Sequence, residues 1–259
     1  MQLSTLEHPQ LKRKEYEALL KPLQFELMTL QHGIFQQQQR CIIVVEGIDA
    51  AGKGGMIRRA TELMDPRGYR VHPIGAPTAE ELKEHYLQRF WRRLPKQGQT
   101  AIFDRSWYGR VLVERVSKLV EEPTWQRAYQ EIIQFEEQLE ADGFILIKLF
   151  LSIDKDEQLS RFKERIDNPK KRWKITPDDI LSRNLWDEYQ QAFDDMLKHT
   201  STATRPWHVV GSNHKRHARI ACMQHIRDRL AKDIDQDQVQ LLNPEVAELA
   251  QKYLSLDQP

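Results

Sequence analysis

The sequence predicts an α/β fold in which a parallel sheet carries helices on both faces. Short runs rich in β-branched and aromatic residues alternate along the chain with segments of helical periodicity. A glycine-rich loop joins the first of these runs to a helical segment, and this strand-loop-helix order is typical of parallel sheets. The chain has 259 residues, 40% of them hydrophobic, which is enough to bury the core of one domain. We therefore predict a single domain over residues 1–259, with ligand sites at the carboxyl ends of its strands.

The predicted elements follow one another from the N-terminus. Residues 10–39 carry leucines at a spacing closer to helical than to alternating, which predicts a helical segment lying on the domain. The runs typical of strands are 41–45, 69–74, 100–103, 144–151 and 207–210. Residues 54–64 predict the helix that follows the first strand.

A later helix is expected to begin near Thr176, because Thr176 can cap it and Pro177 suits its first turn. Apolar residues recur at every fourth position of this helix, which predicts a face packed on the core without a catalytic role. The stripe consists of Leu181, Leu185, Tyr189, Phe193 and Leu197.

Composition and charge exclude several classes of protein. The formal net charge of +1 lacks the basic excess of many nucleic-acid-binding proteins, so any basic site must be local. Cys41 and Cys222 lie far apart and match no metal-ligand spacing, which suits buried thiols in a reducing compartment. The first seven residues carry no basic region followed by an apolar stretch, and the longest apolar runs, such as 41–45, are too short to span a bilayer. We expect a cytoplasmic protein that binds neither nucleic acid nor membranes.

Residues 47–53, GIDAAGK, fit the pattern G-x-x-x-x-G-K of a phosphate loop. Glycines let the backbone bend around an anion, exposed amides at the helix start donate to phosphate oxygens, and the lysine adds a charge near the outer phosphates. A simple glycine turn is the alternative, but strand, spacing, lysine and helix coincide here and favour phosphate binding. The residues predicted to contact phosphate are Gly47, Ala50, Ala51, Gly52, Lys53, Gly54 and Gly55.

The position after Lys53 departs from the usual loop, because Gly54 stands where a serine or threonine normally contacts magnesium. A metal would need other oxygen ligands, and Asp49 in the loop and Asp104 after the strand 100–103 are the candidates for Mg²⁺. Asp104 could instead cap the following helix. Asp49 could instead be a solvated carboxylate or a partner of a lysine.

Three arginines follow the strand 100–103. Arg105, Arg110 and Arg115 could hold phosphates through paired hydrogen bonds, and Arg105 is the best candidate of the three. Arg110 and Glu114 lie four residues apart, so an ion pair on a helix surface explains Arg110 equally well.

Residues 161–174 form the most basic window of the chain, with seven lysines or arginines against two acidic residues. Asn168 and Pro169 interrupt this window, which indicates a mobile segment between two helices. A basic hairpin in such a place can close over phosphates and exclude water. We therefore predict a lid over about 161–176 that contributes Arg165, Arg172 and Lys174. A solvated charged face is the alternative.

A second basic stretch contains two histidines. His214 and His217 lie among Lys215, Arg216 and Arg219. Such histidines are more often surface residues, and nothing in the sequence places them near the phosphate loop. We assign them no phosphohistidine chemistry.

Residues 47–55, GIDAAGKGG, and 103–116, FDRSWYGRVLVERV, resemble the polyphosphate kinase 2 family, and the similarity extends from about residue 40 to about residue 220. The resemblance implies a P-loop kinase of the thymidylate-kinase-like fold. It also implies magnesium-dependent phosphoryl transfer, in either direction, between inorganic polyphosphate and a nucleotide such as AMP, ADP or ATP. The family roles map onto Asp49, Lys53, Asp104, Arg105 and the basic lid with Arg165 and Arg172.

The tract WYGRVLVERV is most similar to the AMP-phosphorylating subgroup, although proteins of that subgroup often carry two fused domains. We therefore predict transfer from polyphosphate to AMP, with ADP as product, by a homo-oligomeric enzyme. The enzymatic alternatives are a polyphosphate kinase acting on ADP or GDP and an ATP-dependent nucleoside monophosphate kinase. A nucleotide-binding switch is the non-enzymatic alternative, but the sequence lacks an Asn-Lys-x-Asp tract for guanine recognition.

Overall fold

The structure, a computed structural model, describes residues 3–254 of the chain. At its centre lies a five-stranded parallel sheet of order β2-β3-β1-β4-β5. The strands are β1 (Arg40–Gly47), β2 (Tyr69–Pro73), β3 (Gln99–Asp104), β4 (Phe144–Ser152) and β5 (Trp207–Gly211). The predicted α/β fold is confirmed. Residues 1–2 and 255–259 belong to the predicted domain 1–259 but lie outside the described residues, and the single-domain organisation stays a prediction.

Helices cover both faces of the sheet. In the described part of the chain they are α1 (Arg13–Gln36), α2 (Lys53–Ala60), α3 (Gln88–Trp91), α4 (Val113–Val116), α5 (Glu122–Ala141), α6 (Lys155–Asp167), α7 (Pro177–Asn184), α8 (Trp186–Thr200), α9 (Lys215–Leu230) and α10 (Pro244–Leu254). On one face α1, α2 and α9 pack against one another, and on the other α5 packs against α8. For α2, α5 and α8, which connect strands, this division follows from chirality, since right-handed crossovers that run in opposite directions along a parallel sheet lie on opposite faces.

The strand β1 occupies the middle of the sheet, between β3 and β4. Every residue of β1 except Arg40 is buried, and so is every residue of β4, as expected for central parallel strands that are covered on both faces. The chain leaves β1 toward β2 on one side, whereas β3 leads to β4 on the other. The two connections diverge beside β1, and the crevice at the carboxyl ends of β1 and β3 is the place where such sheets bind ligands.

The long helix predicted to begin near Thr176 is broken in two. Thr176 does cap α7, accepting a hydrogen bond from the amide of Asp179, but the helix stops at Asn184 and α8 begins at Trp186. The predicted core stripe is therefore wrong at its start: Leu181 is 61% exposed, whereas Phe193 is buried. A spacing of four residues advances the stripe by about 40° per step around the axis, so a long stripe cannot stay on one face.

Two expectations from composition concern the thiols and the membrane. Both cysteines are free and buried, as expected, and burial raises the pKa of Cys41 and of Cys222 to about 12. Across residues 3–254, the helices lack the combination of length and apolar composition that crossing a bilayer requires.

Candidate active site

The predicted phosphate loop runs from the end of β1 to the start of α2 and turns sharply at two glycines. Gly47 has a φ of 143°, and a Cβ there would lie 2.2 Å from the carbonyl oxygen of Leu151, so only glycine fits. Gly52, with a φ of 109°, directly precedes the first turn of α2. Such bends turn backbone amides toward one concave surface that can bind anions. The other residues predicted to contact phosphate lie in this loop or in the first turn of α2: Ala50, Ala51, Lys53, Gly54 and Gly55.

Lys53 is the first residue of α2 and is only 8% exposed. Its Nζ donates hydrogen bonds to the carbonyl oxygens of Gly47, at 2.7 Å, and of Ile48, at 3.3 Å. These bonds hold the ammonium group inside the curve of the loop. Because an ammonium has three donors, it can also bind a phosphate oxygen that enters the loop.

An ion pair across the crevice joins Asp49 in the loop to Arg105 after β3. Arg105 Nη2 donates to Asp49 Oδ1 at 2.8 Å. Burial by itself would raise the pKa of Asp49, but the charges of Lys53 and Arg105 outweigh it, and the pKa of this carboxyl is lowered. Asp49 thus has an arginine partner that the sequence analysis did not anticipate. Arg105 has a φ of 64°, a left-handed conformation that is costly for arginine and that is common at functional sites.

Asp104 ends β3 beside the loop, because it pairs in register with Val45 of β1. A Cβ on Gly54, where many phosphate loops have serine or threonine, would lie 3.9 Å from Asp104 Oδ2. The carboxylate therefore faces the position from which a hydroxyl would otherwise reach a metal. The following turn is capped by Ser106, whose side chain accepts a hydrogen bond from the amide of Tyr108.

The carboxylates of Asp49 and Asp104 offer the oxygen donors that a hard divalent cation prefers. Among residues 3–254, no three acidic, histidine or cysteine side chains are grouped so that they could hold a metal by themselves. A cation bound here would complete its coordination with phosphate oxygens and water, as magnesium commonly does in proteins. The residues present therefore fit a metal that binds together with a phosphorylated substrate.

Arg161 of α6 holds the back of the phosphate loop, a role that sequence analysis missed. Its guanidinium is buried and donates to the carbonyl oxygens of Ala50, at 2.8 Å, and Ala51, at 3.0 Å. The same group donates to the carbonyl oxygens of Ser212, at 2.6 Å, and Asn213, at 2.9 Å. One side chain thus ties the loop to the end of β5. In the sequence Arg161 is only the first residue of the basic window, and no local signal distinguishes it.

A buried carboxylate, Glu46, lies directly before the loop and was also missed. Ser106 Oγ donates to Glu46 Oε1 at 2.8 Å, which ties the end of β1 to the turn after β3. Burial raises the pKa of Glu46, while the hydrogen bond from Ser106 and the charge of Lys53 oppose that change. The contact fixes the two strand ends that carry Asp49 and Asp104.

The predicted lid corresponds to the end of α6, a short turn over Arg172–Lys174 and the start of α7. Two of its arginines hold the hairpin itself: Arg165 Nη1 donates to the carbonyl of Lys174 at 3.0 Å, and Arg172 Nε donates to that of Ile166 at 2.7 Å. Arg165 also lies close enough to Asp49 for its charge to help lower the pKa of that carboxyl, after the larger effects of burial, Lys53 and Arg105. The base of the hairpin is therefore near the loop.

The other two arginines after β3 have partners outside the loop. Arg110 forms an ion pair with Glu114 at 2.9 Å, as considered from the sequence, but the pair does not lie on one helix surface: it joins the turn Trp107–Arg110 to α4, and both side chains are largely covered. Arg115 Nη2 lies 2.8 Å from Asp195 Oδ2 of α8. These contacts give both arginines a role in packing the segment between β3 and α5.

Beneath the site, a buried polar network holds the Trp-Tyr pair that follows Ser106. Glu136 Oε1 accepts hydrogen bonds from Trp107 Nε1, at 3.1 Å, and from the Tyr108 hydroxyl, at 2.6 Å. Lys148 Nζ donates to Glu136 Oε2 at 2.8 Å and to the carbonyl of Thr200 at 2.8 Å. The network joins β4, α5 and α8 to the turn after β3, and so fixes the backbone that presents Asp104 and Arg105.

Comparison with known proteins identifies a family. The family model of polyphosphate kinase 2 (PPK2) matches residues 10–238. A polyphosphate:AMP phosphotransferase from Pseudomonas aeruginosa is 51% identical over 194 residues, which are 75% of this chain and 39% of that protein. A polyphosphate:AMP phosphotransferase from Acinetobacter johnsonii is 45% identical over 235 residues, which are 91% of this chain and 49% of that protein.

A crystal structure of polyphosphate kinase 2 from Arthrobacter aurescens TC1 superposes with a TM-score of 0.88 and 32% sequence identity, over 97% of this chain and 93% of that one. The chain spans about half or less of the length of the two curated relatives. Because the family model covers all five strands, the loop after β1 and the predicted lid, the chain belongs to the polyphosphate kinase 2 family.

Proposed function

We propose that the chain transfers a phosphoryl group from inorganic polyphosphate to AMP, producing ADP and a polyphosphate shorter by one phosphate. The observation that carries the proposal is the convergence of Asp49, Lys53, Asp104 and Arg105 at the carboxyl ends of β1 and β3. This arrangement places two cations and two carboxylates around one phosphate-binding loop. The names of the relatives, which are polyphosphate:AMP phosphotransferases, support the choice of donor and acceptor.

The reaction requires positioning more than acid–base chemistry. A phosphate oxygen of AMP is already an anion at neutral pH, so it can attack the terminal phosphorus of polyphosphate without losing a proton. The new P–O bond forms in line as the bond to the next phosphate of the chain breaks, and the shortened chain leaves as an anion. No covalent enzyme intermediate is needed.

The side chains of the site stabilise charge along this path. The loop amides and Lys53 bind the terminal phosphates of the donor, and the planar guanidinium of Arg105 neutralises charge that spreads over the transferred group. Arg165, Arg172 and Lys174 bind donor phosphates from the lid, which also excludes water from the reacting atoms. Arg161 and Glu46 act by fixing the loop and the strand ends.

Membership of the family implies a divalent metal, and Mg²⁺ is the ion that we propose. Asp104 and Asp49 would hold it together with oxygens of the bound phosphates. When bound, the ion would neutralise part of the charge on the phosphates.

The test is a matrix of activity measurements on the purified chain. AMP, ADP, GMP and GDP are each combined with either polyphosphate or ATP, and products are quantified by ion-exchange chromatography. We expect ADP from AMP and polyphosphate as the fastest reaction. Faster phosphorylation of AMP by ATP than by polyphosphate would overturn the donor, and would identify an ATP-dependent nucleoside monophosphate kinase.

A further inference from the structure

Gln158 of α6 contacts the phosphate loop from behind, and the proposed reaction gives it no role. The side chain is only 2% exposed, and its Nε2 donates to the carbonyl oxygen of Asp49 at 3.2 Å. About one turn further along α6, Arg161 donates to the carbonyl oxygens of Ala50 and Ala51. Three successive carbonyl groups of the loop therefore face α6 and are held by two of its side chains.

The direction of these carbonyl groups fixes the direction of the loop amides. Residues 3–254 contain no cis peptide bonds, so each N–H points away from the carbonyl group of its own peptide unit. The carbonyl groups of Asp49 and Ala51 face α6, and the amides of Ala50 and Gly52, which belong to the same two peptide units, therefore point to the opposite side. Backbone donors that point the same way form a surface to which an anion can bind.

Arg183, near the end of α7, sets the orientation of the Gln158 amide. Its Nη1 donates to Gln158 Oε1 at 3.0 Å and to the carbonyl oxygen of Lys155, in the first turn of α6, at 2.6 Å. A guanidinium has donors and no acceptor, so it binds the oxygen of a side-chain amide and not the nitrogen. The nitrogen of Gln158 is thereby turned toward the loop, where a carbonyl oxygen needs a donor.

These contacts lie at the base of the predicted lid. Its hairpin has α6 as one arm and α7 as the other, with Gln158 in the first half of α6 and Arg183 at the far end of α7. A movement of α7 away from α6 would break the bond to Gln158 Oε1 and leave the amide free to rotate. Two hydrogen bonds in series thus link the second arm of the lid to the backbone of the loop.

We propose that Gln158 is a positioning residue for the phosphate loop, and that Arg183 couples it to the lid by holding its amide in the donating orientation. The inference rests on the proposed function, because it names groups that prepare the loop for the phosphates of the donor. Neither side chain takes part in making or breaking bonds. Contact between α7 and α6 orders the loop, and separation of the two helices loosens it.

The test uses a substitution that turns a donor into an acceptor with almost no change in shape. Gln158→Glu keeps a partner for Arg183 but places a carboxylate oxygen against the carbonyl oxygen of Asp49, so we expect turnover to fall by at least about tenfold. The KM for AMP should change by less than about twofold, because the loop positions the donor and not the acceptor. Gln130→Glu, at an exposed position of α5, is the matched control.

Hydrogen–deuterium exchange of residues 47–56, without nucleotide or polyphosphate, measures the order of the loop independently of turnover. We expect exchange to be faster in Gln158→Glu and in Arg183→Ala than in the wild type. Arg183→Lys keeps a donor for the amide oxygen and should bring exchange back toward the wild-type rate. Arg67→Ala, at an exposed position, is the control and should leave exchange of the loop unchanged.

The outcomes separate this coupling from the proposed function. Unchanged exchange of the loop in Gln158→Glu, or turnover of this variant equal to that of its control, would overturn the positioning role. Faster exchange in Arg183→Ala that is confined to α7 would overturn the coupling to the lid. If Gln158→Glu did not fold, Arg183→Ala, which leaves the amide in place, would decide both points. If the wild type did not use polyphosphate, the proposed function would fail, and the exchange measurements would still decide the coupling.

Discussion

Lys53 is the residue whose loss should expose the phosphate site most directly, because its ammonium is held inside the loop by two carbonyl oxygens. Lys53→Met removes the charge that meets the transferring phosphates, and we expect turnover to fall by at least about a hundredfold. Turnover is measured together with the thermal unfolding midpoint, and Lys232→Met, at an exposed position, is the control. A folded Lys53→Met protein with near-native turnover would contradict the assignment of the loop.

The two carboxylates can be tested through the metal. Asp49→Asn and Asp104→Asn should each raise the magnesium concentration that gives half-maximal activity, because a neutral amide oxygen holds a hard cation less firmly. Asp49→Asn also weakens the pair with Arg105, so its turnover should fall even at saturating magnesium. Activity is titrated with magnesium, with the exposed Asp237→Asn as control. If the magnesium concentration for half-maximal activity is unchanged in both variants, the metal binds elsewhere.

At the scale of single residues, the sequence predicts the groups whose chemistry is local. Lys53 and Asp49 are recognisable because the loop pattern is contiguous, and Asp104 and Arg105 because they follow a buried strand. Arg161 is not recognisable, since it binds the carbonyl of Ala50 from 111 positions further along the chain. A hydrogen bond to a backbone carbonyl places no demand on the identity of its acceptor residue, so no pattern in the sequence marks it.

Among the elements, the lid should affect the donor more than the acceptor. Replacing Arg165, Arg172 and Lys174 with alanine should raise the KM for polyphosphate more than that for AMP, because a linear polyanion depends on cations along its length whereas AMP also has a base and a ribose to bind. Arg165 and Arg172 also hold the hairpin together, so Lys170→Ala with Lys174→Ala serves as a second variant that leaves those two bonds in place. Equal losses for both substrates in both variants would argue against a polyphosphate lid.

Salt provides a second measurement on the same element. The KM of the wild type for polyphosphate should rise steeply with ionic strength, because exposed ion contacts are screened. The triple variant should show a shallower dependence, since fewer ion contacts remain. Parallel salt dependences would place the contacts to polyphosphate outside the lid.

The network beneath the site should matter more for stability than for chemistry. Glu136→Gln leaves Lys148 charged and buried without its carboxylate, and we expect a loss of about 3–5 kcal/mol in the free energy of unfolding. Urea unfolding measures the loss, with the neighbouring Glu137→Gln as control, because Glu137 is 55% exposed in its pair with Arg205. Equal stabilities of the two variants would show that the buried pair does not hold the turn after β3.

The strands were easier to predict than the helices at this scale. Each run predicted as a strand lies within or overlaps an observed strand, because short runs rich in β-branched and aromatic residues are typical of strands. The break between α7 and α8 was missed, because an apolar residue at every fourth position looks the same in one long helix and in two short ones.

For the whole molecule, the order β2-β3-β1-β4-β5 explains why residues far apart in the chain form one site. The register of β1 with β3 sets Val45 opposite Asp104, and that of β1 with β4 sets Gly47 opposite Leu151, so the loop, the turn after β3 and the end of β4 share one edge. The alternation of strands and helices predicts this edge from the sequence. It does not predict the angle at which the lid and α9 approach it, which depends on tertiary packing.

The preference for one acceptor nucleotide depends on the whole site, because the site must position the base, the ribose and the attacking oxygen at the same time. Trp107, Tyr108, Val111 and Leu112 of the tract WYGRVLVERV are buried, so this tract shapes the packing around the site. A site that anchors base and ribose fixes the distance to the attacking oxygen, and ADP, with one phosphate more, would place its terminal oxygen beyond the position suited to AMP. Because misplacement by about 1 Å can cost about a hundredfold in rate, we expect kcat/KM for AMP to exceed that for ADP by at least tenfold. Initial rates of ADP formation from AMP and of ATP formation from ADP, with the same long-chain polyphosphate, measure the ratio. Efficient phosphorylation of ADP or GDP with AMP left untouched would assign the chain to diphosphate acceptors, and would leave the fold and the polyphosphate donor as they stand.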